Sequence, residues 1–110
     1  MEFTKQFSNF PNSFEIIKNE FYSYDPNLVF EESLSFYYLS EDLLQIHLES
    51  KNITLDLGWY GDLSNNKGCF KISIIGNEDW QNPLEIIKSK SQTEISEKLK
   101  KIIEKYNKSS

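Results

Sequence analysis

The length and composition of the chain set the first bounds on its class. A chain of 110 residues in which 38% are hydrophobic suits a single compact domain over residues 1–110. The formal net charge is −5, and all twelve cationic side chains are lysine, so the residue best suited to bidentate contacts with phosphate or guanine does not occur. An acidic surface also repels nucleic acid and anionic membranes. The composition therefore argues against both as partners.

The charge is divided unevenly along the chain. Residues 1–62 carry eleven acidic side chains and three lysines, whereas residues 63–110 carry six acidic side chains and nine lysines. Because an acidic surface attracts basic proteins, this division favours a protein partner. In the C-terminal half the lysines alternate with glutamates, which is typical of a solvated helix face.

Cysteine content and hydropathy indicate the compartment. Cys69 is the sole cysteine of the chain, and the first ten residues lack the charged start and apolar run of a signal peptide. No apolar stretch approaches the roughly 20 residues that a membrane-spanning helix needs. We therefore expect a cytoplasmic protein, with loose ends at about residues 1–10 and 107–110.

The first element is predicted as a helix from about Ser13 to Tyr22. Asn12 and Glu15 have the spacing of a capping box, and the apolar residues that follow recur at helical spacing. These apolar residues are Phe14, Ile17 and Phe21. The next stretch, from Leu28 to Leu39, is ambiguous between an aromatic strand and a short helix, and its alternation favours a strand. The alternating residues are Leu34, Phe36 and Tyr38.

The middle of the chain predicts an antiparallel meander. Apolar and polar residues alternate from Leu44 to Glu49 and again from Ile53 to Leu57, on either side of a turn at residues 50–52. A third strand, Cys69 to Ile75, follows a turn at residues 65–68. Leu84 to Lys88 is expected to add a short edge strand.

The last segment predicts a C-terminal helix. Ser91 and Glu94 form a second capping box, and apolar residues follow on one stripe. The fold class is therefore α+β, in two layers: an antiparallel sheet of four or five strands with the N-terminal and C-terminal helices packed on one face. The other face is expected to be polar, with Gln45, His47, Glu49, Thr54, Asp56, Lys71 and Ser73.

Catalytic and metal-binding patterns are sparse. His47 is the only imidazole, and Cys69 begins a strand, where a small packed side chain is more common than a reactive thiolate. One cysteine and one histidine do not make a zinc site, and the four glycines form no phosphate-binding motif. Adjacent acidic pairs usually point apart; they are Glu31-Glu32, Glu41-Asp42 and Glu78-Asp79. We expect no enzymatic activity, no metal and no cofactor.

One stretch of the chain resembles a known family. The run from Ile53 to Pro83 reads ITLDLGWYGD, then a turn, then GCFKISIIGNEDWQNP. This succession is similar to small immunity proteins of bacterial contact-dependent growth inhibition systems, over roughly residues 44–106. The resemblance implies a cytosolic protein that binds and blocks the toxic C-terminal domain of a large exported effector, often a nuclease. Such a partner is basic, and we expect a monomer in a 1:1 complex.

The candidate contact residues are aromatic side chains flanked by acids. Interfaces concentrate their binding energy in Trp and Tyr anchors, while charges set the association rate and the specificity. The residues selected in this way are Trp59, Tyr60, Asp62, Glu78, Asp79 and Trp80. Asp56 is the best electrostatic candidate, because alternation places it outward on the central hairpin. The alternative for the two tryptophans is that they fill the core.

Two further functional classes fit the same sequence. Small acidic α+β proteins with a long final helix also serve as secretion chaperones for exported effectors, and these usually dimerise. The aromatic content also permits a binding module for a small apolar ligand, held in a cavity between the helices and the sheet. Oligomeric state and bound small molecules discriminate these classes from an inhibitor.

Overall fold

The structure, a computed structural model, describes residues 3–26, 32–62 and 67–108. Its elements in chain order are β1 (Phe14–Asn19), α1 (Glu32–Tyr38), β2 (Leu44–Leu48), a 3-10 turn (Glu49–Lys51), β3 (Ile53–Asp62), β4 (Lys67–Gly76), β5 (Glu85–Ser89) and α2 (Gln92–Lys108). The five strands form an antiparallel sheet in the order β1-β2-β3-β4-β5. The α+β class and the antiparallel meander are thus confirmed.

The inner face of the sheet forms the core. Side-chain alternation in β2, β3 and β4 turns one set of apolar residues inward, as the sequence pattern predicts. These side chains are at most 3% exposed: Leu44, Ile46, Leu48, Leu55, Leu57, Trp59, Phe70, Ile72 and Ile74. The predicted edge strand is also confirmed as β5, one residue further along the chain. The predicted turn at residues 65–68 lies partly outside the described residues.

The C-terminal helix α2 covers the inner face over β4 and β5. Its start is capped as predicted, because the Glu94 backbone N–H donates to the Ser91 hydroxyl at 3.1 Å. The Gln92 N–H donates to the Asp25 carboxylate at 3.1 Å, which places a negative charge at the positive end of the helix. The apolar stripe is buried at Ile95, Leu99, Ile102 and Ile103. Neither helix of the described ranges combines the length and the apolar character that a bilayer-spanning segment requires.

The N-terminal helix predicted from Ser13 to Tyr22 is wrong, because this stretch contains strand β1. The pairing of β1 with β2 shifts its register between Ile16 and Lys18, where a bulge adds one residue. Phe14 and Phe21 are seven positions apart, so a regular strand would turn them to opposite faces. The bulge allows both to face the core, where they are 7% and 1% exposed. The bulge therefore gives Phe14 and Phe21, both facing the core, a spacing that is also typical of one face of a helix.

The strand favoured for Leu28 to Leu39 is also wrong where the structure describes it, because α1 occupies most of that stretch. Residues 28–31 of the prediction lie outside the described residues. In α1, Leu34 and Tyr38 are four positions apart and pack together against the core. An alternating pattern of only three residues is compatible with the period of a strand and with that of a helix, so it was too short to distinguish the two.

The N-terminal segment is attached to the domain by hydrogen bonds and by aromatic packing. The Gln6 N–H donates to the Phe21 carbonyl, and the Ser23 N–H donates to the Thr4 carbonyl, both at 2.8 Å. Three aromatic side chains of the segment pack against the core: Phe3, Phe7 and Phe10. At the other end, helix α2 continues to Lys108. The N-terminal contacts connect residues 3–10 to the rest of the domain, and the expectation of loose ends stays a prediction.

The packing of α2 on the sheet gives a stability prediction. Leu99 is 0% exposed, and truncation to alanine removes buried methyl groups and leaves a cavity. We expect Leu99→Ala to lower the free energy of unfolding by about 2–5 kcal/mol. Urea denaturation measures this loss, and the exposed neighbour Lys98 supplies the control, because Lys98→Ala should change stability by less than about 0.5 kcal/mol. Equal effects of the two substitutions would contradict the packing.

Candidate functional site: an acidic face with tyrosines

The face of the sheet that turns away from α2 is the candidate functional surface. The register places Gln45, Asp56 and Ser73 in one row across β2, β3 and β4. Thr54 and Ser73 are 5% and 7% exposed, so the accessible polar surface comes from the longer side chains. Of the polar residues predicted for this face, Glu49 lies in the 3-10 turn that follows β2.

Asp56 is the charged residue at the centre of this face. Its side chain is half-buried in the middle of β3, the central strand. The pKa of Asp56 is raised from 3.8 to about 6, first by burial and then by the nearby Asp42 carboxylate, while the Lys71 ammonium acts in the opposite direction. The fold therefore holds a carboxylate where its charged form is disfavoured, and a nearby cation would stabilise that charge.

The segment from Ser40 to Leu43 brings two more carboxylates to this face. Its ends are fixed to β3, because the Trp59 N–H donates to the Ser40 carbonyl at 2.7 Å and the Leu43 N–H donates to the Leu57 carbonyl at 3.0 Å. Between these bonds the Glu41 backbone lies directly against Gly58.

Gly58 is required for this crossing. A Cβ atom at position 58 would overlap the Glu41 carbonyl oxygen. Glycine at this position lets the segment approach the sheet closely. The exposed Asp42 side chain is thereby held near Asp56, and both Glu41 and Asp42 lie near Tyr60.

Tyr60 completes what we call the acidic sheet patch, defined as Glu41, Asp42, Asp56 and Tyr60. The pKa of the Tyr60 hydroxyl is raised, first by desolvation and then by the three carboxylates. The Lys71 Nζ atom lies 4.0 Å from the centroid of the Tyr60 ring, a cation–π contact within the chain itself. The patch thus combines a negative potential with an aromatic side chain that already contacts a cation.

A pocket of about 220 Å³ adjoins the patch and shares Asp42 with it. We call it the tyrosine pocket; it is lined by Lys18, Glu20, Tyr22, Tyr37, Tyr38, Ser40, Asp42 and Leu43. The ring centroids of Tyr22 and Tyr38 are 5.4 Å apart, and those of Tyr37 and Tyr38 are 4.8 Å apart. The pKa of Tyr22 is raised, first by desolvation and then by the Glu20 carboxylate. The pocket therefore has aromatic walls in a negative field.

The predicted contact residues lie in several separate parts of the structure. Asp56 and Tyr60 lie together in the acidic sheet patch. Asp62 ends β3 opposite Lys67 of β4. The remaining exposed candidates lie in the β4–β5 connection, next to the opposite end of β3: Glu78, Asp79 and Trp80. In that connection the Asn82 side-chain amide donates to the Asp79 carboxylate at 3.2 Å. The structure does not bring these three residues to the acidic sheet patch.

Trp59 lies on the inner face instead. It is 3% exposed and packs edge-on against Phe70, with ring centroids 4.9 Å apart. Its indole N–H is buried without a hydrogen-bond partner among the described residues. The alternative that this tryptophan fills the core agrees with its placement, whereas Trp80 is 48% exposed and remains accessible.

Sequence reasoning missed the tyrosine pocket and weighed the Glu41-Asp42 pair only for catalysis. The available signal was the density of tyrosines and acids between residues 20 and 42. Using it required the helix at Glu32–Tyr38, which places Tyr37 and Tyr38 beside Tyr22. Because this stretch was predicted as a strand, the three tyrosines were not expected to lie together.

The acidic sheet patch and the tyrosine pocket together suit binding of a cation by carboxylates and aromatic rings.

The other residues considered for catalysis or metal binding are His47 and Cys69. The His47 ring Nδ1 shares a hydrogen bond of 2.9 Å with the Thr54 hydroxyl, its cross-strand neighbour. Cys69 is a partly exposed free thiol opposite Tyr60. Within residues 3–26, 32–62 and 67–108, no group of three or more His, Cys, Asp or Glu side chains is placed to hold a metal ion.

Comparisons of the chain with models of known protein families, with curated protein sequences and with solved structures found no significant match.

The raised pKa of Asp56 predicts a specific pH dependence of stability. Between about pH 4 and pH 6 the native state retains a proton that the unfolded state has released, so the free energy of unfolding falls as pH rises through this window. Asp56→Asn should remove this component and gain stability relative to the parent chain above about pH 6. Urea denaturation across this pH range measures it.

The matched control for this prediction is Glu49→Gln, at an exposed carboxyl in the 3-10 turn. Glu49→Gln should leave the pH profile of the parent chain unchanged. An Asp56 carboxyl that titrates near 3.8 by NMR would contradict the account of its burial.

Proposed function

We propose that this chain is a cytoplasmic immunity protein. In this proposal it binds and neutralises the basic toxic domain of a contact-dependent inhibition effector, without catalysis. The observation that carries the proposal is the acidic sheet patch, in which three carboxylates converge beside Tyr60. The resemblance of residues 53–83 to immunity proteins supports the same reading. Inhibition is by covering the phosphate-binding face of the toxin.

Electrostatics favours a basic partner for this surface. A nuclease face that holds phosphates is positively charged, so an acidic inhibitor gains a higher association rate through steering. The Asp56 carboxylate is disfavoured in the free protein by burial and by Asp42. A lysine or arginine of the partner would stabilise the ionised form, so binding would release a proton below about pH 6.

The tyrosines provide the anchoring contacts in this proposal. Tyr37 is 79% exposed, and Tyr60 lies partly exposed among the carboxylates. Tyrosine at an interface contributes a large apolar contact at a low cost in side-chain entropy. We therefore expect the carboxylates to govern the association rate and the tyrosines to govern the dissociation rate.

Capture of the partner followed by rescue of growth tests the proposal. The tagged chain is purified from its native host, and the proteins bound to it are identified by mass spectrometry. The C-terminal domain of a captured exoprotein is then expressed in a bacterial host with and without this chain. Restored growth on co-expression supports the immunity function, whereas persistent toxicity overturns it.

The same experiment separates the two alternative classes. A dimer that holds an unfolded segment of an effector and gives no rescue would favour the secretion chaperone. A partnerless monomer that carries a small molecule in native mass spectrometry would favour the apolar-ligand module. Both results would contradict the immunity proposal.

Charge reversal on the acidic sheet patch should slow association with the toxin domain. Glu41→Lys combined with Asp42→Lys replaces two exposed carboxylates, and we expect the association rate constant to fall roughly tenfold or more at low salt. The difference should shrink as salt screens the charges. Stopped-flow or surface plasmon resonance kinetics at several salt concentrations measures it.

Two lysines placed elsewhere control for the change in net charge. Glu85 and Glu97 are exposed carboxylates outside the patch, on β5 and α2. Glu85→Lys combined with Glu97→Lys alters the total charge equally. An equal loss of association rate in both double variants would assign the effect to net charge and would remove the patch from the proposal.

A further inference from the structure

We propose that the tyrosine pocket receives the guanidinium group of one arginine side chain from the basic partner. This inference rests on the proposed function and assigns a chemical class of ligand to a cavity beside the acidic sheet patch. The pocket combines three tyrosines with the carboxylates of Glu20 and Asp42. Its volume of about 220 Å³ corresponds to about seven water molecules, so one long side chain and part of its hydration shell fit.

The aromatic walls are held in place by their own contacts. Tyr38 lies edge-on to Phe3 with centroids 5.2 Å apart, and it stacks on Tyr24 at 5.6 Å. The same ring contacts Tyr22 and Tyr37, so it forms the floor of an aromatic cluster with neighbours on several sides. A pocket wall fixed in advance loses little conformational entropy when a ligand binds.

Tyr37 is the accessible wall of the pocket. It is 79% exposed, and its ring is tilted 78° from that of Tyr38. Its exposed ring is therefore accessible to a ligand in the pocket. A guanidinium group is planar and weakly hydrated, so it stacks on an aromatic face more readily than an ammonium group does.

The two carboxylates lie on different segments that are joined at the pocket. The Glu20 N–H donates to the Leu43 carbonyl at 2.6 Å, which ties the residue after β1 to the segment before β2. The Tyr22 hydroxyl lies 3.5 Å from the Glu20 carboxylate and donates to it. The fork of N–H donors in a guanidinium can contact a carboxylate while its plane remains stacked on a ring.

Lys18 also lines the pocket, and its positive charge competes with that of an incoming cation. This charge opposes the entry of a second cation electrostatically. The lining nevertheless keeps an excess of one negative charge, since two carboxylates face one lysine. Removal of the lysine charge should therefore strengthen binding of an external cation, whereas removal of either carboxylate should weaken it.

The test uses a small probe that contains no part of a toxin. N-acetyl-arginine methylamide is titrated into the full chain, and the ring resonances of Tyr22, Tyr37 and Tyr38 are followed by NMR. N-acetyl-citrulline methylamide is the neutral control of nearly the same shape. We expect saturable shifts at the three tyrosines with the arginine probe and at least about fivefold weaker binding of the citrulline probe.

Five substitutions, one of them a control outside the pocket, extend the test. Tyr37→Leu and Asp42→Asn should each weaken binding of the arginine probe by about threefold or more, and Lys18→Ala should strengthen it by about twofold. Glu97→Gln, on α2 and outside the pocket, should leave it unchanged. Glu20→Gln keeps the shape of the side chain, so it tests the role of the charge if Tyr37→Leu alters the fold.

Equal binding of the two probes, or shifts that fall outside the pocket, would overturn the inference. These outcomes are distinct from failure of the immunity proposal. Rescue of growth by a chain that does not bind the arginine probe would remove the pocket and leave the function. Saturable arginine binding without capture or rescue would leave a cation pocket and remove the function.

Discussion

The hydrogen-bonded register of strand β3 is the constraint on which the rest of the structure depends. The strand is paired on both sides, and its two faces carry different sets of side chains. Its inward residues, Leu55, Leu57 and Trp59, are buried in the core. The residues between them, Asp56 and Gly58, face the other side. A shift of one residue would exchange the two sets, so the pairing that buries the core also fixes the acidic surface.

The sequence predicted those elements whose pattern is regular and long. The alternation in β2, β3 and β4 and the stripe of α2 are each repeated over several residues, and each element was found. The N-terminal third was predicted wrongly because a bulge between Ile16 and Lys18 gives a strand helical spacing, and because α1 spans only seven residues. In such short elements, tertiary packing decides between the two periods.

The candidate site was predictable only in part, for a related reason. Asp56 and Tyr60 follow from alternation along β3, whereas the approach of Glu41 and Asp42 depends on a segment that crosses Gly58. No local pattern reveals such a crossing, since it is set by hydrogen bonds to β3. The tyrosine pocket likewise joins residues from β1, α1 and the segment before β2. Exposed tyrosines, a half-buried carboxylate and a cavity with negative lining thus form one continuous surface, which is the form expected for recognition of a basic protein.

The most direct test of the proposed function is carboxyl footprinting of the complex between the chain and the toxin domain proposed as its partner. Carbodiimide-coupled labelling of Glu41 and Asp42 is compared in the free and bound chain by mass spectrometry, with the exposed Glu97 of α2 as reference. We expect binding to protect Glu41 and Asp42 and to leave Glu97 unchanged. Protection confined to α2, with Glu41 and Asp42 labelled as in the free chain, would contradict it.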